Sequence, residues 1–202
     1  MTVEIYPAKY LITWLIIESK YPKNSLNVNF PYGYIKKNIV LSWYDVLFLI
    51  ENGFAPHKIA SLYACDLISS KKSCPQQVWD LACLSKADLL HECSIHPFID
   101  ELAASTEPEL KKLTEKKILY ILLKWLFENR ELYEEPLNAV NVVYDDFGYP
   151  ESMKNFISYM PTDICEYLHG DEKKKLLENW RTFIDEQGKK YGILNTSSNS
   201  NQ

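Results

Sequence analysis

The sequence predicts a mainly α fold, an irregular single-domain bundle of about eight to ten helices. Three observations predict it. Apolar residues recur at three- and four-residue spacing along most of the chain, and proline, serine or threonine stands ahead of nearly every such run. Asn-Gly, Gly-Tyr-Pro or a polar cluster then follows it. These are the start and stop signals of helices. No segment repeats at a period of roughly 20 to 50 residues, so a solenoid is not predicted.

Pro7 suits a first helical turn, and Leu11, Trp14, Leu15 and Ile17 recur with helical period, predicting a helix from Ala8 to Lys20. A strand over part of this run is the competing reading. Residues Tyr21 to Asn38 hold Pro22, Asn24, Pro31 and Gly33 among aromatics, and read as a long surface loop that packs its own rings. Ser42 with Asp45 three residues on forms a start like a capping box, and Asn52-Gly53 supplies a stop, so Trp43 to Glu51 is a helix.

Pro56 opens the next helix, with Ile59, Leu62, Tyr63 and Cys65 on one face until Ser69-Ser70-Lys71-Lys72 breaks the pattern. Pro75, Ser85 with Asp88, and Pro97 mark three short helix starts before Ser105. The clearest helix follows Thr114. There Ile118, Ile121, Leu122, Trp125 and Leu126 form a broad stripe with Lys116, Lys117 and Lys124 off it, as a central helix requires. Pro136 starts another with Leu137, Val140, Val143 and Tyr144 inward, and Gly148-Tyr149-Pro150 ends it. Glu151 to Tyr159 is a short helix and Glu172 to Gln187 closes the fold.

A chain of 202 residues fits one domain, here 1–194, followed by a polar tail at 195–202 that reads as disordered. Its 47% apolar and 24% charged residues are those of an ordinary globular protein. The apolar run Tyr10 to Ile17 falls far short of the roughly 20 residues of a membrane span. Glu4 before it and Glu18-Ser19-Lys20 after it do not fit a secretory signal, which predicts a cytoplasmic protein. Five cysteines, Cys65, Cys74, Cys83, Cys93 and Cys165, lack C-x-x-C spacing and read as reduced, mostly buried thiols.

The net charge of −5 disfavours a general nucleic-acid binder. It is unevenly placed. Residues 1–40 hold five lysines against Glu4 and Glu18, or +3, whereas residues 128–169 hold nine acids against Arg130 and Lys154, or −7. Such a surface speeds association with a cationic partner, although acids on helical faces also serve simply to solvate them.

Cys83, His91, Cys93 and His96 gather two thiols and two imidazoles within fourteen residues. Their spacing is poor for zinc, because His91 and His96 would stand about 140° apart around a helix. Paired acids at Glu134-Glu135 and Asp145-Asp146 are weak signals for acid–base chemistry or a divalent cation. No G-x-G-x-x-G, G-x-S-x-G or G-x-x-x-x-G-K-[ST] motif occurs, so neither a nucleotide nor any other cofactor is predicted. Asp145-Asp146-Phe147-Gly148-Tyr149 instead combines charge, aromatics and a turn, as protein interfaces do, with Phe147 equally suited to the core.

The run Ile121 to Arg130, then Glu135-Pro136-Leu137, Val142 to Glu151 and Tyr159-Met160-Pro161, resembles the bacterial family named domain of unknown function twenty-two forty-seven. Leu41 to Asp45 and Glu51-Asn52-Gly53 are similar to that family's other recurring segment, so the resemblance spans Val40 to Pro161. No catalytic residue is carried over. The resemblance implies a kinship with immunity proteins of polymorphic-toxin systems, cytoplasmic proteins that bind and block a toxin domain. On this reading Glu128, Arg130, Glu134, Asp145, Asp146 and Tyr149 form part of a partner-binding patch, with Arg130 alternatively paired to Glu134. A scaffold or regulatory interaction protein, and an enzyme using carboxylates or the Cys/His group, are the competing readings.

Overall fold

Most of the predicted start and stop signals act where they stand in a computed structural model, which describes residues 22–70, 73–158 and 170–193. The helix predicted at Ala8 to Lys20 and the polar tail from Asn195 lie outside the described residues. The described elements are α1 (Tyr32–Asn38), α2 (Trp43–Glu51), α3 (Lys58–Ser70), α4 (Gln76–Ala82), α5 (His96–Ala104), α6 (Pro108–Glu128), α7 (Pro136–Asp146) and α8 (Gly170–Tyr191). Short 3-10 turns at Asp88–Leu90, Glu92–Ser94, Arg130–Leu132 and Glu151–Phe156 link them, and no strand occurs among the described residues. The fold is thus mainly α.

Ser42 and Asp45 close the predicted capping box of α2. Gly53, at φ +70°, supplies the left-handed turn that ends it, with Phe54 N–H returning to the Leu49 carbonyl at 2.8 Å. Pro97 and Pro136 occupy first-turn positions of α5 and α7 as expected. The Ser85–Asp88 pair forms its reciprocal bonds, at 3.0 and 3.2 Å, but caps only a 3-10 turn. Glu151–Phe156 is also 3-10 rather than α. α8 runs longer than predicted at both ends.

Helix α6 is the centre. It begins at Pro108, six residues before the expected Thr114, and Ile118 to Leu123 are buried without interruption, so no solvent-facing side exists there. A helix apolar all round is one enclosed by others. α2, α7 and α8 pack on α6, while α3, α4 and α5 extend the bundle through α2. Trp180 of α8 is fully buried and sets its ring edge-on to Phe127 of α6, with centroids 5.1 Å apart. Gly188 allows that approach, because a Cβ there would stand 3.2 Å from the Tyr120 hydroxyl.

The predicted surface loop Tyr21 to Asn38 needs correction. Its second half is α1, and residues 22–31 form a strap that buries Val28 and Phe30 while Lys23, Ser25, Asn27 and Asn29 stay exposed. The Phe30 ring meets Tyr34, Phe54 and Trp125 at 6.0 to 6.1 Å, so the rings pack on α6 and on the turn after α2 as well as on each other. Asn24 replaces a backbone turn with its amide, bonding Val28 and Gly53. A loop this rich in aromatics gains more from burial than from solvation.

The thiols also depart from expectation. Cys65, Cys83 and Cys93 are exposed and Cys74 is half-buried, and all four are free. The buried face of α3 is Ile59, Ala60, Ser61 and Ala64, which turns Leu62 and Cys65 outward.

Candidate protein-binding surface

Glu128 ends α6, and residues 129–135 connect it to α7. This connector is tied down by its own backbone: the N–H of Leu132 reaches the Asn129 carbonyl at 3.0 Å and that of Tyr133 reaches Arg130 at 3.2 Å. Asn129 caps α6 by donating its side-chain amide to the Trp125 carbonyl at 2.8 Å. Arg130 does not pair with Glu134. Its guanidinium donates to the Phe127 carbonyl at 2.8 Å and stacks over the Phe127 ring at 4.8 Å.

That orientation matters for charge. From Glu128 to Glu135 the chain carries four carboxylates against Arg130, and the one guanidinium is folded inward. Glu128 is paired with Lys124 at 3.0 Å and Glu135 with Lys173 at 2.8 Å, whereas Glu131 and Glu134 are exposed and make no ion pair among the described residues. Between them Leu132 is 81% exposed, while Tyr133 packs against the core.

The remaining predicted residues sit at the other end of α7, about 16 Å away along its axis at the standard helical rise. Asp145 is exposed there. Tyr149 is 55% exposed, leans edge-on against Tyr144 at 5.3 Å and holds φ +61°, an unusual conformation for a bulky residue. Asp146 is not on the surface. It is 5% exposed, its carboxylate accepts from the Ser25 N–H and hydroxyl at 2.8 and 2.6 Å, and its carbonyl accepts from Lys23 N–H. Phe147 is buried. The expected patch therefore divides into two parts, and Asp146 becomes an internal tie to the strap.

The sequence presents Asp45 only as part of a cap. Asp45 is fully buried, and besides Ser42 it accepts from the Thr114 hydroxyl and from Lys117 Nζ at 2.8 Å. Lys117, expected off the apolar stripe, is buried and also donates to the Val40 carbonyl at 3.2 Å. An open groove of ≈ 330 Å³ lies beside this network, lined by Tyr44, Phe48, Glu51, Asn52, Lys111 and Thr114 among others. Lys111 is engaged on the Ala104 carbonyl at 2.8 Å and lies over the Tyr44 ring.

Cys83, His91 and Cys93 are exposed, and His96 Nδ1 lies 2.8 Å from Asp100 Oδ1. Among the described residues no three His, Cys, Asp or Glu side chains are grouped to hold a metal ion. No helix among them is long and apolar enough to cross a membrane.

The model of the family described as "Uncharacterized protein conserved in bacteria (DUF2247)" matches residues 32–188. The chain belongs to this family. The DUF2247 match opens at the first residue of α1 and closes within α8, so it reaches further at both ends than the span from Val40 to Pro161. No curated protein and no solved structure matches the chain.

Proposed function

We propose that this DUF2247 protein is a non-enzymatic protein-binding protein of the immunity type, which holds a cationic toxin domain against the acidic connector between α6 and α7. The observation that carries the reading is the connector's charge: Arg130 is folded onto Phe127, and Glu131 and Glu134 are exposed with no ion pair among the described residues. Carboxylates at the rim of an interface steer a basic partner and select against acidic ones. Asp145 and Tyr149, about 16 Å further along α7, fall within the reach of one partner of ordinary size. The site is cytoplasmic on this reading, since an immunity protein meets its toxin inside the producing cell.

The test is co-expression and co-purification with the product of an adjacent toxin-like reading frame, with the dissociation constant measured at low and high salt. Tight binding, weakened by salt and by the joint substitution Glu131→Lys and Glu134→Lys in a folded protein, supports the proposal. Equal affinity in the charge-reversed protein would remove it, and a partner without toxic activity would favour a scaffold instead.

A further inference from the structure

A single exposed leucine on a protein surface is ordinary and by itself points to nothing. Leu132 combines that exposure with a fixed backbone and with flanking charge. Its 3-10 turn is closed by the backbone bonds to Asn129 and Arg130, anchored beneath by Arg130 on Phe127, and Phe127 in turn is braced by the buried Trp180. Tyr133, the next residue, packs against the core and fixes the direction of the turn. The connector thus presents an apolar side chain on a backbone that loses little freedom on binding, flanked by two carboxylates that make no ion pair among the described residues.

We propose that Leu132 is the apolar anchor of the interface, inserted into a hydrophobic pocket whose rim carries lysine or arginine from a basic protein. The inference rests on the protein-binding reading above and adds to it where the contact is centred and what shape the partner must have. The occupant follows from charge complementarity: a pocket rimmed by acids would face Glu131 and Glu134 directly, and such like-charge contacts are strongly unfavourable. Interface energy concentrates in a few central residues that fill pockets and are ringed by charge, and the connector supplies that arrangement from one short turn.

The experiment places a photo-crosslinking benzoylphenylalanine at position 132 of the full chain in its own cells, with the same group at Leu90 as control. Leu90 is 77% exposed on a 3-10 turn likewise closed by its own backbone, and differs in that the neighbouring carboxylate, Asp88, is engaged by Ser85. The expected result is one basic protein crosslinked from 132 and not from 90, identified by mass spectrometry and then purified with this chain. With that purified partner, Leu132→Ala weakens binding by about thirtyfold or more, the size of an interface hot spot, and Leu90→Ala leaves it unchanged. Crosslinking from 90 alone or from neither position, capture of an acidic protein, or an unchanged affinity in Leu132→Ala would overturn the proposal. If the Glu131→Lys and Glu134→Lys change weakens binding while Leu132→Ala does not, the anchor fails and the acidic surface stands.

Discussion

Asp45 is the residue on which the interior most depends. Its carboxylate accepts from Ser42, Thr114 and Lys117 with no exposure to solvent, joining the start of α2 to the middle of α6. Removing one member of a buried ion pair strands the other charge, typically at a cost of about 3–5 kcal/mol. We expect Asp45→Ala and Lys117→Ala each to fall in that range by urea unfolding, and the double variant to cost less than their sum. Additive losses would mean that the two groups are not coupled.

Ser42 and Asp45 could be read as a cap because their partnership is local. The tie to Lys117 could not, since it crosses 72 positions and an isolated lysine beside an apolar stripe reads as solvated. Asp145 and Asp146 show the same limit, because adjacent identical residues face different ways on a helix and only the tertiary partner, Ser25, tells them apart. We expect Asp146→Ala to destabilise the fold by about 1–3 kcal/mol in urea unfolding, for its lost hydrogen bonds. Tyr149 adds a backbone test. At φ +61° glycine is favoured over alanine, so Tyr149→Gly should be more stable than Tyr149→Ala by about 1 kcal/mol in thermal unfolding.

At the scale of elements, helices were legible wherever a start signal and a 3.6-residue pattern coincided, as in α2, α6 and α7. The strap and α1 were not. Proline and asparagine mark residues 22–31 as irregular, and irregular segments are normally external. Here Phe30 finds a site between α6 and the turn after α2, which only the assembled bundle creates.

Helix α1 is then clamped to α3 by Asp66, which accepts from Lys36 and from the Tyr32 hydroxyl, both at 2.7 Å. Lys36, and then Tyr32, hold the Asp66 carboxyl below its ordinary value. A folded-state pKa below the unfolded one stabilises above the unfolded value, near pH 4, and is lost as pH falls through the folded value. We therefore expect the stability difference between the native chain and Asp66→Asn to be present at pH 7 and to close below about pH 4. A difference that persisted at low pH would mean that the carboxylate is not what holds α1. For α8, Trp180→Ala should cost about 3–5 kcal/mol, as expected for emptying a large buried site.

Over the whole molecule the charge is divided, and the division was visible in composition alone: +3 over residues 1–40 against −7 over residues 128–169. What composition could not show is which acids remain outward once the chain is folded. Asp146 turns inward, Glu128 and Glu135 find lysines, and Glu131 and Glu134 are left on either side of Leu132. Neighbours in sequence suggest one patch, whereas a helix of eleven residues holds its two ends well apart. The surface proposed for a partner is smaller and lies nearer the start of α7.

The most direct measurement is the rate at which the purified partner associates with this chain as ionic strength is raised. An acidic connector that steers a basic partner predicts an association rate that falls steeply with salt, and a joint Glu131→Lys and Glu134→Lys variant that associates more slowly and with a flatter dependence. An association rate indifferent both to salt and to these two substitutions would contradict the account.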